Sequence, residues 1–448
     1  MKKNKILFIC AMIVIVGVVV LSCKAPEVIK ETIIETVTET VTETVEVEVE
    51  VEVPAEEEVA AAKSPYEGET ITVWKWPDDS GLLTSLFDEF TEETGIIVNH
   101  RPMTLDWNEY VTEIVTYLSS GSDEIDVYFS SEGLMPTYSR AGWMEPIDDV
   151  FPDLDDFPQD YIKQACQFEG QTYWIPQSLG FTTIYYNREI FDNAGVEIPE
   201  QGWTYEDLVT IGKQLTSDDI YAFLPSGAPI YITMDTFQFV AAWGGDLTDW
   251  HNPKTQAAIQ FYYDLIHTHK IAPPNTAQQD YITNMETFLQ GKGAMLFTWN
   301  NLKLNMEERF PEAFDNRDYW VVPMFKGGEK QFSMTSSWCY GIGSASQHKG
   351  AAKEFLKWMC SKDTMIKYSP KELPPRASAL AETENLADPD MALIAEEYLS
   401  YAGPRQFYSE NQSEFETIIS DSVASFITDQ VTLEEMVEQA MAKIAELK

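Results

Sequence analysis

Several large aromatic residues in this chain stand beside short polar ones. Trp76 is followed by Asp78 and Asp79, Trp243 by Gly244-Gly245-Asp246, and Trp299 by Asn300 and Asn301. Ser131 and Glu132 close an apolar run, Trp338 follows Ser336-Ser337, and Arg376 follows Pro374-Pro375. An aromatic face can cover the C–H face of a ring-shaped ligand, while carboxylates, amides and a guanidinium hydrogen-bond its hydroxyl edge. This is the chemistry of recognition. Covalent chemistry has no comparable signal: Gly-x-Ser-x-Gly, Gly-x-x-x-x-Gly-Lys, His-Glu-x-x-His and Cys-x-x-Cys are all absent. His267-Thr268-His269 is the best metal candidate but supplies too few ligands. It reads as the end of a helix from Thr255 to His269, where a cationic His suits the dipole. Gly341-Ile342-Gly343 lacks the third glycine of a dinucleotide turn and reads as a strand edge, so no cofactor is expected. Carboxylates are too abundant for any pair to single out glycoside hydrolysis.

Positioning such residues requires rigid elements. Thr70 to Trp76 reads as a strand, and Pro77 to Gly81 as a loop that can cap the helix behind it. Leu83, Leu86, Phe87 and Phe90 have helical spacing within Leu82 to Thr94, which stops at Gly95. A second strand begins at Ile96, a helix is predicted over Trp107 to Leu118, and a third strand over Ile125 to Phe129. Alternating strands and helices predict an α/β fold with a largely parallel sheet. Ligands sit outside the carboxyl ends of such strands, which puts Pro77 to Gly81 and Ser130 to Gly133 on one rim. Gly170 suits a hairpin turn between Phe168 and Tyr173, and Thr204 a helix N-cap with Asp207 in the first turn.

Charge and cysteine usage narrow the classes. The net charge is −43 over 448 residues, of which −37 falls on the 385 residues from Ser64. So acidic a body repels nucleic acid and anionic lipid, and disfavours phosphorylated or uronic acid ligands. Cys166, Cys339 and Cys360 have neither metal-ligand nor redox spacing and read as buried thiols. At the amino end, Lys2, Lys3 and Lys5 precede sixteen apolar or small residues, Ile6 to Leu21, and then Ser22-Cys23. The run is shorter than the ~20 residues of a membrane span and reads as a secretory signal. Leu21-Ser22-Cys23 resembles the lipobox of bacterial lipoproteins, which implies a mature chain beginning at a lipidated Cys23. Residues 24–63 hold twelve Glu against three Lys in Glu-Thr-Val and Val-Glu repeats, an acidic tether extended by self-repulsion.

Ordered motifs then carry a further resemblance. Asp126-Val127-Tyr128-Phe129, Ala141-Gly142-Trp143-Met144-Glu145-Pro146-Ile147-Asp148, Gly170 to Pro176 and Tyr185 to Phe191 come first. Trp203 to Leu208, Gly244-Gly245-Asp246, Phe288 to Met295 and Tyr340 to Gly343 with Ala351 to Leu356 follow. Together they resemble the extracellular solute-binding proteins of sugar ABC transporters, the group that includes maltose-binding protein. The resemblance implies two α/β lobes of the periplasmic-binding-protein type II fold, joined by a hinge. Residues 64–177 and 334–385 would form the first lobe, and 178–333 and 386–448 the second. The chain would cross near Gln177, Met334 and Leu386, which adds Gln177 and Ser178 to the candidate ligand contacts. Late helices, Met391 to Tyr401, Ser413 to Thr428 and Leu433 to Leu447, would pack on the second lobe. Family members often place a stacking tryptophan two residues after the position of Trp299, where this chain has Asn301. The implied protein is a monomeric lipoprotein outside the cytoplasm, binding a neutral di- or oligosaccharide and serving a membrane permease, without metal, cofactor or nucleic acid. A surface-tethered carbohydrate-active enzyme and a ligand-sensing receptor subunit are the competing readings.

Overall fold

The computed structural model describes residues 64–448 apart from 79, 105–106, 301–305, 307–311, 313–317, 384–397, 407, 409–410 and 448. Cys23, the tether, Asp79, Asn301, the expected crossing near Leu386 and most of the expected helix 391–401 lie outside the described residues.

The first sheet begins with β1 (Thr70–Lys75), β2 (Ile97–Pro102) and β3 (Val127–Ser131), which run parallel. The connecting helices are Leu82–Thr94 and Trp107–Ser120. The first buries Leu83, Leu86, Phe87 and Phe90, so its apolar stripe faces the sheet, and Gly95 ends it in the left-handed region. β4 (Met144–Glu145) follows, then a hairpin of β5 (Gln167–Phe168) and β6 (Gln171–Thr172), and β7 (Trp174–Pro176). Glu169 and Gly170, both at positive φ, make the hairpin turn.

The chain then builds a second sheet from β8 (Gly180–Asn187), β9 (Tyr221–Leu224), β10 (Gly293–Trp299), β11 (Tyr319–Val322) and β12 (Ser333–Ser336). One residue later β13 (Trp338–Gly343) returns to the first sheet, while β14 (Ala402–Pro404) joins the second beside β12. The strand orders are β2-β1-β3-β13-β4, with β7 also on β13, and β14-β12-β8-β10-β9, with β11 also on β8. The expectation of a largely parallel fold holds for β1 to β3, and among the described residues of the second sheet only the pairs β9–β10 and β12–β14 are parallel. β13 is antiparallel to β3, β4 and β7, and β8 is antiparallel to β10, β11 and β12, because strands that return from the other sheet enter from the opposite end.

Two separate apolar cores result. One gathers Trp74, Phe90, Tyr110, Phe129, Trp174 and Phe355, and the other Tyr185, Phe239, Trp250, Phe297, Phe415 and Met436. The helices Gln412–Ile427 and Leu433–Glu446 contribute to the second core through Phe415, Ile419, Met436 and Ile444. Thr204 and Asp207 form a reciprocal capping box, with Thr204 N–H donating to Asp207 at 2.8 Å. Gly341 and Gly343 stand in an interior strand and not at an edge. A Cβ on Gly341 would lie 2.6 Å from the Trp174 ring, so packing and not ligand binding excludes a side chain there. Cys166, Cys339 and Cys360 are free and buried.

Candidate functional site

Among the described residues the chain passes between the sheets from β7 to β8 and from β12 to β13. Trp74 and Lys75 close β1, and Trp76 follows it in a half-buried position. Trp338 opens β13 opposite Ser131, the last residue of β3. On the other side, Trp299 ends β10 opposite Thr182 in β8. Strand ends of both sheets thus meet at one cleft, which holds a cavity of about 520 Å³. Its volume is within the ~300–1,000 Å³ usual for small-molecule sites.

Aromatic faces dominate the lining. Trp76, Trp107 and Trp338 come from the first lobe, and Tyr231, Tyr281 and Trp299 from the second. They are held by one another: the rings of Trp76 and Trp338 are 4.5 Å apart at 63°, and Trp338 stacks on Phe129 at 5.4 Å. Tyr281 packs edge-on to Tyr231 at 4.7 Å. Such packing fixes ring orientation before any ligand arrives, which lowers the ordering cost of binding. A second cavity of about 560 Å³ shares Trp107, Ile230, Tyr231 and Glu416 with the first, so the cleft continues as a groove. Ile230 lies at φ 67, ψ −46, a conformation that costs a β-branched residue about 1–3 kcal/mol and that clusters at ligand sites.

Charged groups sit around this aromatic box. Arg405 is buried, with Nη1 2.9 Å from the Glu416 carboxylate and Nε 3.5 Å from that of Glu132. Glu132 also accepts from Ser336 Oγ at 2.7 Å and from Tyr161 OH at 3.3 Å. Gly133 makes room for this cluster, since a Cβ there would be 2.3 Å from Arg405 Nη2. Burial pushes the Glu416 carboxyl up, with Arg405 opposing that shift. At the other end Lys75 is buried, its Nζ 3.6 Å from the centre of the Phe129 ring and donating to Gln177 Oε1 at 2.8 Å. Burial lowers the Lys75 pKa to about 8, and Glu372 is the charge that most opposes the drop.

The expected contacts divide on this geometry. Trp76, Ser178, Trp299, Asn300 and Trp338 line the cavity. Gln177 lies beneath it on Lys75, Ser131 pairs with Trp338, and Glu132 holds Arg405. Asp78 turns to the helix behind it and accepts from Thr84 N–H at 2.7 Å. Burial opposes ionisation of Asp78, but bonds from Thr84, Leu83 and Ser80 outweigh it and hold the carboxyl below its usual range.

Three expected contacts are elsewhere. Trp243 is in the second core, 4.7 Å from Phe261 and 5.0 Å from Tyr205. It is twelve residues beyond Tyr231 on one helix, about 18 Å away at 1.5 Å per residue. Asp246 closes a turn, accepting from Thr248 N–H at 2.8 Å and Gln406 Nε2 at 2.6 Å. Arg376 is buried in the first lobe, where it donates to Asp153 at 2.6 Å and to the Cys360 carbonyl at 2.6 Å. Its planar cation lies over Phe157 at 4.4 Å. Trp107, Tyr231, Tyr281, Glu372, Arg405 and Glu416 were not expected. The positions of Tyr231 and Tyr281 at helix starts, after Pro229 and Asp280, are the one local signal that could have marked two of them.

Among the described residues no cluster of His, Cys, Asp or Glu could hold a metal ion. His267 instead bonds the Ile427 carbonyl at 2.8 Å. The sequence pattern of the bacterial extracellular solute-binding proteins runs through residues 76–366. The chain belongs to that family. A probable amino-acid ABC transporter periplasmic-binding protein of Sinorhizobium fredii is 23% identical over 347 residues, covering 74% of this chain and 78% of that one. An arabinooligosaccharide-binding protein of Halalkalibacterium halodurans is 30% identical over 230 residues, 48% of this chain and 50% of that one. Among solved structures, an ABC transporter solute-binding protein of Thermotoga lettingae bound to α-D-tagatose superposes with a TM-score of 0.76 at 21% identity. That match covers 84% of this chain and 99% of the other. The solute-binding protein described here shares their two-lobed architecture, and its aromatic cavity lies between the lobes.

Proposed function

We propose that this solute-binding protein captures a carbohydrate in the interlobe cleft and delivers it to a membrane ABC permease, held at the outer face of the membrane by lipid on Cys23. The observation that carries the reading is the cavity wall: six aromatic side chains from both lobes, with Ser178, Asn300, Ser336 and Glu372 between them. Aromatic faces suit sugar C–H surfaces, and the interspersed oxygens and amide suit hydroxyls. The relative named for arabinooligosaccharides and the structure with tagatose support the same class. Catalysis is not part of this reading.

The relative named for amino acids raises a second one. An α-carboxylate would need a cation, and among the described cavity residues Arg405 is the cationic one, already committed to Glu416 and Glu132. The carbohydrate reading is therefore preferred. Titration calorimetry against arabino-, manno- and malto-oligosaccharides, tagatose and amino acids tests it, with product analysis in parallel. Saturable binding of an intact sugar supports the proposal; binding confined to amino acids, or release of reducing ends, overturns it.

A further inference from the structure

The expected contacts do not include Glu372, yet it is placed to choose among ligands. It lines the cavity at its hinge end, together with Trp76, Ser178 and Trp338. Its neighbour Leu373 is tied across the hinge, the carbonyl accepting from Leu179 N–H at 2.8 Å. Glu372 therefore keeps its place relative to both lobes. Ser178 bonds the carboxylate and also accepts from Trp338 N–H at 3.3 Å, which links the carboxylate to the strand that carries a stacking ring.

One oxygen remains. Glu372 Oε2 is shielded from solvent, and no protein group bonds it. Shielded carboxylate oxygens are almost always hydrogen-bonded, because desolvation without a partner is costly. The amide nitrogen of Gln177, one residue before Ser178, is likewise shielded without a protein partner, its oxygen being committed to Lys75. Neither atom opens onto the cavity, but Glu372 is only partly buried and lines it, so its carboxylate is within reach of a ligand hydroxyl, which can donate to it.

Lys75 explains why a carboxylate can stand here. Burial pushes the Glu372 carboxyl up, and the Lys75 ammonium is the first influence holding it down. Lys75 itself is fully buried on Gln177 and the Phe129 face and is not part of the cavity wall. The lysine is a fixed counter-charge and the glutamate the group presented to the cleft.

We propose that Glu372 is a specificity-determining residue, whose carboxylate accepts a hydrogen bond from one hydroxyl of the sugar unit seated at the hinge end of the cleft. The proposal rests on the carbohydrate reading above. The test uses calorimetry with wild type, Glu372→Gln and Glu372→Ala, the best sugar of the panel and its single-deoxy analogues. Both variants should bind the parent sugar at least tenfold more weakly. One deoxy analogue should lose affinity for wild type by a similar factor but lose little more on Glu372→Ala, because the contact is already gone. Melting temperatures of the unliganded variants separate this from a structural role, in which stability would drop while the deoxy losses stayed the same in all three proteins. That pattern overturns the assignment of Glu372 alone. A wild type that binds no sugar overturns the carbohydrate reading and this proposal with it.

Discussion

Arg405 Nε lies 3.5 Å from Glu132 Oε1, and the two residues belong to different lobes. Glu132 follows β3 in the first sheet, whereas Arg405 follows β14 in the second. Both are buried, and Glu416 completes a triad with two carboxylates around one guanidinium. A buried pair contributes little net stability beside an apolar substitute, but removing one member strands the other and costs about 3–5 kcal/mol. The triad thus acts as a clasp that favours the arrangement in which the lobes approach each other.

Loosening the clasp should open the molecule. Arg405→Ala is expected to raise the radius of gyration of the unliganded protein in small-angle scattering and to weaken sugar binding tenfold or more, since closure then depends more heavily on ligand contacts. An unchanged scattering profile would show that the lobes are held by other contacts.

The edge-on tryptophan pair at the cleft should dominate affinity. Trp76→Ala and Trp338→Ala each remove an aromatic face from the cavity, and a loss of about 1–3 kcal/mol in binding is expected, read by calorimetry. Trp243→Phe, by contrast, should leave affinity unchanged, because that ring is packed on Phe261 and Tyr205.

Arg376 should matter for stability and not for ligand. Arg376→Ala is expected to lower unfolding free energy by about 2–4 kcal/mol in denaturant titration, with sugar affinity retained. The bond from Arg376 holds the Asp153 carboxyl below the usual aspartate range. A carboxyl depressed in the folded state stabilises above its unfolded pKa and loses that contribution as pH falls through the folded one. Wild type should therefore lose stability more steeply than Arg376→Ala below about pH 4, the range of an ordinary aspartate.

Asp235 has the opposite sign. It is buried on the helix Tyr231–Trp243, accepts from Ser226 N–H at 2.7 Å, and burial pushes its carboxyl well above 3.8. Stability should fall as pH rises from the unfolded pKa of an aspartate, ~4, through the raised folded value. Asp235→Asn removes the titration, so its melting temperature should vary less over that range.

Thiol chemistry offers a separate check. Burial pushes the Cys339 thiol well up and that of Cys360 to about 12. Reaction of these two and of Cys166 with a thiol reagent should wait for denaturation; fast labelling of the native protein would contradict their burial.

Much of the scaffold was legible because it rests on short-range physics. The helix Leu82–Thr94 falls where its apolar spacing and Gly95 put it, and the hairpin turns at Gly170. Thr204 and Asp207 needed only three residues of separation to form their capping box. β13 was harder: two glycines suggested an edge, whereas the reasons for them are rings far away in sequence, Trp174 beside Gly341 and Tyr128 beside Gly343. The site divides in the same way. Trp76, Trp299 and Trp338 end or begin strands, and a strand end can be read from its own residues. Trp243 and Arg376 have similar local surroundings, yet one faces a helical core and the other an acidic loop.

The sequence by itself determined the family, through motifs spread over residues 76–366, the acidic charge, and the alternation that makes an α/β fold. Tertiary structure alone decided which aromatic rings share the cleft, that Arg405 and Glu416 reach back to Glu132, and that Glu372 faces the ligand space. Helix and strand formation depends on neighbours a few residues apart. The cleft, in contrast, lies where the chain passes between two lobes, so its members are fixed by distances that only folding creates.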